Sequence, residues 1–295
     1  MLYGGVEAGG TKFVCAVGDR QGRILAERRF PTTTPEETLS QVVAFFRHAS
    51  EAYGLKFSAV GVVSFGPADV DPESPNYGEI GATPKEGWEG TNIAAFVHRA
   101  LRLPVVFDTD VNGAVWGEAR WGAAQGLRTV LYITVGTGVG GGAIVEGNLL
   151  HGLRHPEMGH LIVPHDRVRD PFAGICPFHG DCLEGLASGT ALALRWGRPA
   201  EDLPSEHPAW SLEAHYLALA VTSYILTLAP QRIIIGGGVM RQPILLPLIR
   251  AKVPRLLGGY CPLTPMERYL VPPTLGDRAG VLGAIALAID AAKRR

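Results

Sequence analysis

Short apolar runs alternate with longer amphipathic runs along the chain, an order that predicts a mixed α/β fold. The first two apolar runs, residues 3–8 and 12–18, are separated only by Gly9-Gly10-Thr11, and this spacing predicts a β-hairpin. A third strand is expected over residues 23–30, and residues 35–53 show the apolar spacing of a core-facing helix. The chain is therefore expected to begin with three strands and a helix.

The next apolar run leads to a stretch that suits ligand contact. A buried strand is predicted over residues 59–64, and it ends in Phe65-Gly66-Pro67, whose exposed backbone places Gly66 where a substrate is met. Residues 67–92 are rich in Pro, Gly and polar positions, yet they also contain Tyr and Trp side chains. We therefore expect an ordered loop on the substrate side, because long ordered loops in compact chains tend to be functional. A short helix over residues 93–101 follows.

A group of polar side chains follows the next predicted strand. The strand covers residues 104–107 and leads into Asp108, Asp110 and Asn112, before a helix over residues 111–123. Because alternate strand positions point to the same side, these side chains are expected to converge at the carboxyl end of the strand. We predict that Asp110 is a general base. The alternative is that Asp108 or Asp110 caps the following helix, and the two roles are compatible.

The second half of the chain repeats the pattern of the first. Apolar strands over residues 128–135 and 139–145 flank Gly136-Thr137-Gly138, as the first hairpin flanks its own turn. This repetition indicates a weak internal duplication. The remaining predicted elements are a helix over 211–229, a strand over 232–235 before Gly236-Gly237-Gly238, a helix that closes over 252–259, a strand over 269–272, and a helix over 280–292 before the cations Lys293-Arg294-Arg295.

The glycine turns have two interpretations. Taken alone, Gly9-Gly10-Thr11-Lys12 is a tight hairpin turn, and Gly236-Gly237-Gly238 is a close strand-to-helix connection. Alternatively, glycine backbone approaches phosphate or adenine closely, Thr11 adds a hydroxyl, Lys12 adds charge and Glu7 helps to hold magnesium. Two matching turns in two similar halves favour this second interpretation, with both turns on one triphosphate. The pattern is not G-x-G-x-x-G before a helix, which disfavours a dinucleotide-binding unit.

Composition excludes several classes of protein. The 295 residues are 46% hydrophobic and 19% charged, enough for two cores of ordinary size. Lys plus Arg number 27 against 28 Asp plus Glu, so net charge gives no reason to expect binding to nucleic acid or to an anionic membrane. The first residues do not resemble a secretory signal, and the apolar stretch over 216–229 is too short for a span, so a cytoplasmic protein is expected. Cys15 and Cys261 are expected to be core thiols.

A Cys and His cluster indicates a metal site. Cys176, His179 and Cys182 have C-x-x-H-x-x-C spacing within a turn-rich segment, and His160 is the preferred fourth ligand, with His155 and His165 in reserve. Four protein ligands leave no position for water, so we predict a structural zinc ion. The alternative is a solvated loop with incidental Cys and His.

Two carboxylates flank this metal segment. Glu157 precedes His160 and Glu184 follows Cys182, so an ordered loop would hold both carboxylates in fixed positions. Carboxylates accept hydrogen bonds from hydroxyl groups. The pair therefore suggests a polyhydroxylated ligand, such as a sugar.

Seven segments together resemble the ROK family of repressors and sugar kinases, and specifically its bacterial fructokinases. In chain order they are VEAGGTK, SFGPADVDPESPNYGEIGATPKEGW, DTDVNGAVWGE, TVGTGVGGG, HPEMGH, CPFHGDCLEGLASG and IIIGGGVM. The resemblance covers nearly the whole chain. It implies an actin-like ATPase fold with two ribonuclease-H-like lobes, ATP and Mg²⁺ as co-substrate and cofactor, structural Zn²⁺, and a homodimer. The implied lobes are residues 1–110 with 278–295, binding sugar and phosphate, and residues 111–277, carrying the zinc loop and binding ATP.

The resemblance also implies roles for individual residues. It implies Asp110 as the base. The implied sugar ligands are Asn112, Asp110, Glu157, His160 and Glu184, in addition to Gly66, which is expected from its position at a strand end. The implied ATP and phosphate ligands are Gly9, Gly10, Thr11, Lys12, Thr134, Gly136, Thr137, Gly138, Gly236, Gly237 and Gly238. The implied zinc ligands are His160, Cys176, His179 and Cys182, with Glu7 toward magnesium. His160 is expected to bind zinc through one ring nitrogen and a sugar hydroxyl through the other.

Two departures from the wider family favour the fructokinase branch. Glu7 stands where many relatives have Asp, and His179 stands where the glucose-specific branch has Cys. The segment GATPKEGW resembles fructokinases more than glucokinases. The activity so implied is phosphorylation of D-fructose to fructose 6-phosphate, with mannose, glucose or N-acetylmannosamine as alternatives. A sugar-responsive regulator is disfavoured because the first strand begins near Met1, and a zinc hydrolase because H-E-x-x-H is absent.

Overall fold

The structure is a computed structural model that describes residues 1–54 and 57–293. The cations Arg294 and Arg295 of the predicted C-terminal run lie outside the described residues. Internal contacts divide the chain into two compact units. The first unit comprises Met1–Gly126, Leu149–His155 and Thr274–Arg295, and the second comprises Leu127–Asn148 and Pro156–Pro273.

Strands and helices alternate through the described ranges, which confirms the predicted α/β class. The described strands are β1 (Leu2–Ala8), β2 (Lys12–Gly18), β3 (Ile24–Pro31), β4 (Phe57–Ser64), β5 (Val105–Thr109), β6 (Val130–Val135), β7 (Val139–Val145), β8 (Asn148–Leu149), β9 (Arg232–Gly236) and β10 (Leu270–Val271). The described α-helices are α1 (Pro35–Tyr53), α2 (Ile93–Leu101), α3 (Asp110–Trp121), α4 (Leu183–Ala187), α5 (Gly189–Trp196), α6 (Ala209–Leu228), α7 (Leu245–Leu257), α8 (Met266–Tyr269) and α9 (Ala279–Lys293).

The two sheets share one arrangement. The first has the order β3-β2-β1-β4-β5, with an antiparallel β1–β2 hairpin and parallel β1–β4 and β4–β5 pairs. The second has the order β10-β9-β6-β7-β8, with an antiparallel β6–β7 hairpin and parallel β6–β9 and β9–β10 pairs. In both sheets, the first strand of the hairpin pairs in parallel with a strand from later in the chain. The internal duplication predicted from the glycine turns is therefore present in the topology.

Glycines allow α9 to pack closely in the first unit. A Cβ at Gly61 of β4 would lie 1.8 Å from the Ala284 carbonyl oxygen, and one at Gly283 would lie 1.7 Å from the Gly113 carbonyl oxygen. A Cβ at Gly117 of α3 would lie 2.8 Å from the Ala279 carbonyl oxygen. These contacts place α3 in the first unit, whereas the predicted lobe boundary at residue 110 placed it with the second.

Several element bounds in the second unit differ from the sequence-based expectations. Strand β6 begins at Val130 rather than at residue 128, because the Arg128 and Thr129 N–H groups donate to Gln231 Oε1 at 2.7 and 3.1 Å. After the third glycine turn, a 3₁₀ turn over Val239–Arg241 precedes α7, rather than a continuous helix. Throughout the described ranges, no helix is both long and apolar enough to cross a membrane.

The long loop over residues 67–92 is ordered by aromatic side chains. Trp88 is fully buried, and its Nε1–H donates to the Thr33 carbonyl oxygen at 2.9 Å. The Tyr77 hydroxyl accepts from the Phe107 N–H at 2.6 Å and donates to the Phe107 carbonyl oxygen at 3.0 Å. The Trp88 contact fixes the loop to the segment after β3, and the Tyr77 contact fixes it to β5. The loop is therefore ordered, as its aromatic content predicted.

Candidate active site and metal-binding loop

The carboxyl ends of three parallel strands meet at one edge of the first sheet. Ala8 of β1, Ser64 of β4 and Thr109 of β5 lie side by side in the strand register. Glu7 directly precedes this row and Asp110 directly follows it. Parallel strands commonly present ligand-binding residues at this edge. The predicted base and the predicted magnesium ligand therefore reach the same edge of one sheet.

Asp110 occupies the first turn of α3, and Thr109 caps that helix. The Thr109 Oγ1 accepts from the Asn112 N–H at 3.2 Å, so neither Asp108 nor Asp110 is the N-cap residue. Asp110 Oδ1 accepts from the adjacent Val111 N–H at 2.9 Å. The N-terminal end of a helix stabilises a negative charge, which favours an ionised Asp110. A carboxylate in this position is suited to accept a proton from a substrate hydroxyl.

Asp108 and Asn112 converge as predicted, but through the first turn of α3 rather than along the strand. The Asn112 Nδ2 amide donates to Asp108 Oδ1 at 2.8 Å, and both side chains are buried. Asp108 Oδ2 lies 3.0 Å from His151 Nε2. This hydrogen bond raises the pKa of the His151 imidazole above its usual value. Sequence reasoning missed His151 because it lies 43 residues from Asp108, with no motif joining the two.

Glu7 has the environment of a cation ligand. Burial, and after it the negative charge of Asp110, raises the pKa of Glu7 to about 7. Its Oε2 atom is buried without a hydrogen-bond partner among the described residues. A Cβ at Gly280 would lie 2.5 Å from the Glu7 carboxyl carbon, so only glycine at that position leaves room for the side chain. An orphaned carboxylate oxygen near a second carboxylate suits a hard divalent cation.

The first glycine turn is fixed by its own backbone. The Gly9 N–H donates to the Lys12 carbonyl oxygen at 3.0 Å, so this amide serves the hairpin and is not available to a phosphate. Thr32 closes the other side, since its Oγ1 donates to the Gly9 carbonyl oxygen at 2.7 Å. A Cβ at Gly10 would meet nothing within 4 Å among the described residues. The open part of the predicted phosphate cradle therefore begins at Gly10.

The second glycine turn is held by residues that follow the metal-binding loop. The Gly189 N–H donates to the Gly136 carbonyl oxygen at 2.7 Å, and Thr190 Oγ1 donates to the Thr137 carbonyl oxygen at 2.8 Å. Glu184 Oε2 accepts from the Val139 N–H at 3.0 Å. Glu184, predicted as a sugar ligand, thus also contacts this turn.

A cavity of about 770 Å³ opens beside the second turn, within the second unit. Its size and mixed lining suit a nucleotide. Of the predicted nucleotide ligands, Gly136, Thr137 and Gly238 line the cavity. Other lining residues include Gly189, Thr190, Trp210, Arg241 and Gln242.

Four other predicted nucleotide ligands of the second unit, Thr134, Gly138, Gly236 and Gly237, lie outside this lining. Gly237 has a φ of +101°, and a Cβ there would lie 2.3 Å from the Val135 carbonyl oxygen. A Cβ at Gly236 would lie 2.9 Å from the Pro273 side chain, and Thr134 pairs with Gly236 inside the sheet. These positions set the packing of the strand ends. Of the third glycine turn, only Gly238 lines the cavity among the described residues.

The four predicted metal ligands come together. One ligand atom from each of His160, Cys176, His179 and Cys182 lies within 4.8 Å of the other three, an arrangement able to hold a metal ion. Cys176 Sγ lies 3.6 Å from His160 Nδ1 and 3.5 Å from His179 Nδ1, and Cys182 Sγ lies 3.5 Å from His160 Nδ1. Zinc bond lengths in tetrahedral geometry separate sulfur and nitrogen ligands by about 3.6 Å. The cluster therefore has the dimensions of a tetrahedral site.

Neither reserve histidine belongs to this cluster. His165 lies 2.9 Å from Asp181 Oδ2 through Nδ1, and 2.9 Å from the Asp170 carbonyl oxygen through Nε2. His155 Nε2 accepts from the Ala68 N–H at 3.1 Å, in the first unit. Among the described residues, His160 is the fourth member of the cluster, and it is the candidate preferred from the sequence.

Glu157 precedes a 3₁₀ turn over Met158–His160, which ends at His160 and packs on the second hairpin. A Cβ at Gly159 would lie 1.8 Å from the Val139 carbonyl oxygen, so this turn needs glycine to approach β7. The Tyr224 hydroxyl donates to the Met158 carbonyl oxygen at 2.6 Å. The turn therefore fixes the exposed Glu157 and the ligand His160 relative to the glycine turn of the same unit.

Two sheets of matching topology, a nucleotide-sized cavity and a carboxylate group at parallel strand ends define a sugar-kinase type of the actin-like ATPase fold. The protein-family model described as "ROK family" matches residues 3–291 of this sequence, and the chain belongs to that family.

Relatives in this family cover nearly the full chain. The chain is 45% identical to a protein named fructokinase from Zymomonas mobilis, over 98% of this chain and 97% of the relative. It is 42% identical to one named fructokinase from Lactococcus lactis, over 98% and 97%. A crystal structure of a ROK family glucokinase from Streptomyces griseus, in complex with glucose and AMPPNP, is 30% identical with a TM-score of 0.78, over 98% of this chain and 100% of that one.

Proposed function

We propose that this protein transfers the terminal phosphoryl group of ATP to D-fructose, forming fructose 6-phosphate and ADP. The geometric observation that carries the reaction is Asp110 at the start of α3, two residues before the buried Asn112. The full-length similarity to relatives named fructokinase supports fructose as the substrate.

In this reaction Asp110 accepts the proton of the attacking hydroxyl. The hydroxyl oxygen forms a bond to the terminal phosphorus as the bond from that phosphorus to the bridging oxygen breaks, and ADP leaves. Asn112 orients the sugar, while Gly66, Glu157, His160 and Glu184 supply further sugar contacts. Positioning contributes most of the acceleration, because phosphoryl transfer needs an in-line geometry and little covalent help from the protein.

Charge neutralisation falls to Lys12, to backbone N–H groups and to magnesium. When bound, magnesium offsets the negative charge that builds on the phosphate oxygens. Two observations support Glu7 as the residue that holds this ion. Its buried Oε2 atom has no hydrogen-bond partner among the described residues, and burial, followed by the negative charge of Asp110, raises the pKa of Glu7. The nucleotide itself would occupy the cavity beside Gly136, Thr137 and Gly238.

The Cys and His cluster is proposed to hold one structural zinc ion. Two thiolates and two imidazoles are ligands that zinc prefers, and four protein ligands complete a tetrahedral shell. Zinc therefore orders the loop that ends at Glu184, and takes no part in proton or phosphoryl transfer. The free thiols of this loop suit a reducing compartment, which supports a cytoplasmic location. The homodimer is a proposal that light scattering tests.

The test is a coupled ATP-consumption assay with Mg²⁺ across fructose, mannose, glucose and N-acetylmannosamine, before and after zinc removal. We expect fructose to be the best substrate. A strong preference for another hexose would leave ATP-dependent phosphorylation in place and would replace fructose as the proposed substrate. Absence of turnover with every sugar would refute the kinase, and binding of the sugars by calorimetry would then support a regulator.

A further inference from the structure

His151, an exposed side chain that the mechanism above does not use, contacts the buried Asp108 and Asn112. Its Nε2 atom lies 3.0 Å from Asp108 Oδ2 and 3.3 Å from Asn112 Nδ2. Asp108 is only 4% exposed, and its Oδ1 accepts from the Thr109 N–H at 2.7 Å and from Asn112 Nδ2 at 2.8 Å. Three donors from three residues thus surround one buried carboxylate.

The chemistry of this cluster fixes which atoms carry hydrogen. An ionised carboxylate only accepts, so the Asn112 atom beside Asp108 Oδ1 is the amide nitrogen. For the same reason, the His151 nitrogen beside Asp108 Oδ2 carries a hydrogen and donates it. The Asn112 side-chain oxygen therefore points away from Asp108. That oxygen is an acceptor, and a sugar hydroxyl is the donor it would match.

The position of His151 depends on a short segment that contacts two neighbouring strand ends. The segment Leu149–His155 belongs to the first unit. At its other end, His155 Nε2 accepts from the Ala68 N–H at 3.1 Å, two residues after Gly66. A Cβ at Gly66 would lie 3.2 Å from His155 Cε1, so this ring packs directly on the predicted sugar-contacting glycine. His155 thus anchors the segment beside the end of β4. His151 contacts Asp108 at the end of β5 and Asn112 in the helix that follows.

We propose that His151 is a positioning residue of the sugar site. His151 holds the Asp108 carboxylate in place, and Asp108 in turn fixes the Asn112 amide with its oxygen toward the sugar. This inference rests on the proposed function. Without His151, Asp108 Oδ2 would lose its donor in a buried position, and an unsatisfied buried carboxylate recruits a new partner. The Asn112 amide already donates to Asp108 Oδ1, and a turn of its N–H groups toward Oδ2 would withdraw the acceptor from the sugar.

The test compares His151→Ala and His151→Gln with His48→Ala, a control at an exposed histidine of α1. We expect His151→Ala to raise the KM for fructose about tenfold, the effect of losing one charge-assisted hydrogen bond. The KM for ATP should stay within about twofold of wild type, because the nucleotide contacts are separate from this cluster. His151→Gln keeps an N–H donor and should recover most of the fructose affinity.

A purely structural role for His151 predicts a different pattern. Disturbance of the start of α3 would displace Asp110 as well, so kcat would fall as strongly as fructose affinity, and glutamine would not rescue. That pattern, or a wild-type KM for fructose in His151→Ala, overturns the inference and leaves the proposed kinase intact. Absence of hexose phosphorylation by the wild-type protein would refute both.

A second measurement uses the wild-type protein and does not depend on the folding of a variant. Long-range ¹H–¹⁵N spectra of protein labelled at histidine report which ring nitrogen carries hydrogen, and His151→Gln identifies the His151 signal. We expect Nε2 to be protonated at neutral pH. An unprotonated Nε2 overturns the inference, because Asp108 would then face a second acceptor.

Discussion

Glu184 Oε2 accepts a hydrogen bond from the Val139 N–H at 3.0 Å and joins the metal-binding loop to the second glycine turn. Glu184 lies two residues after the metal ligand Cys182, at the start of α4. A Cβ at Gly138 would lie 2.5 Å from the same carboxylate oxygen, so glycine there permits the approach. The segment that carries the Cys and His cluster is therefore hydrogen-bonded to the end of a glycine turn that lines the cavity of about 770 Å³.

Substitutions at Glu184 can distinguish its contact with the second glycine turn from its proposed contact with the sugar. In Glu184→Ala both the turn contact and any sugar contact are lost, so we expect KM to rise about tenfold for ATP and also for fructose. In Glu184→Gln the side-chain oxygen still accepts from Val139, so the KM for ATP should remain near wild type while the KM for fructose rises. Steady-state kinetics with each substrate varied in turn measures both. An unchanged KM for ATP in Glu184→Ala would show that the turn does not need this brace.

Replacement of the base is expected to remove catalysis and spare the fold. Asp110→Ala and Asp110→Asn should lower kcat about 10³-fold, because each removes the proton acceptor. The melting temperature should stay close to wild type, since Thr109 and not Asp110 caps α3. Asp202→Asn, at an exposed position of the second unit, is the matched control and should keep full activity. Turnover retained in both Asp110 variants would mean that another group is the base.

A matched pair of histidine variants tests the link between metal and sugar. His160→Ala and His179→Ala should each lose bound zinc, measured by metal analysis, and melt at a lower temperature, because metal binding contributes folding free energy. The His160 atom that lies near the Cys176 and Cys182 sulfur atoms is Nδ1. The Nε2 atom of His160 is therefore the one expected to contact a sugar hydroxyl. We therefore expect His160→Ala to lose more fructose affinity than His179→Ala. Full zinc retention in His160→Ala would exclude it as a ligand.

Stability should depend on pH through Glu213 of α6. This side chain is fully buried, and neither carboxyl oxygen has a hydrogen-bond partner among the described residues. Burial raises the pKa of Glu213 well above its usual value, and the positive charge of Arg195 offsets part of that rise. A raised pKa in the folded state means that ionisation opposes folding, so the cost is absent below the unfolded pKa and grows as pH rises above it.

The variant Glu213→Gln removes this ionisation and keeps the shape of the side chain. We expect its free energy of unfolding to match wild type near pH 4 and to exceed it increasingly toward pH 8, measured by urea denaturation. Arg195 stays paired, since its Nη2 lies 3.0 Å from Asp170 Oδ2. A stability difference that is constant over this range would show that the pKa of Glu213 is the same in the folded and unfolded states.

Local patterns in the sequence predicted most strands, most of the longer helices and the members of the Cys and His cluster. The spacing of apolar residues predicted both hairpins, and the bounds of α1 and α2 agree with the expectation. The C-x-x-H-x-x-C spacing brought three ligands into one loop because such ligands are separated by single turns. Interactions of this kind depend on residues a few positions apart, so the sequence records them directly.

The tertiary structure decided the contacts that cross the chain. His151 meets Asp108 across 43 residues, and Glu184 meets Val139 across 45, so no local spacing indicates either pair. Glycine function was also ambiguous, because a glycine needed for close packing and one needed for a ligand look alike in sequence. Only the path of the chain showed that Gly237 serves the packing of its own strand end, whereas Gly238 lines a cavity.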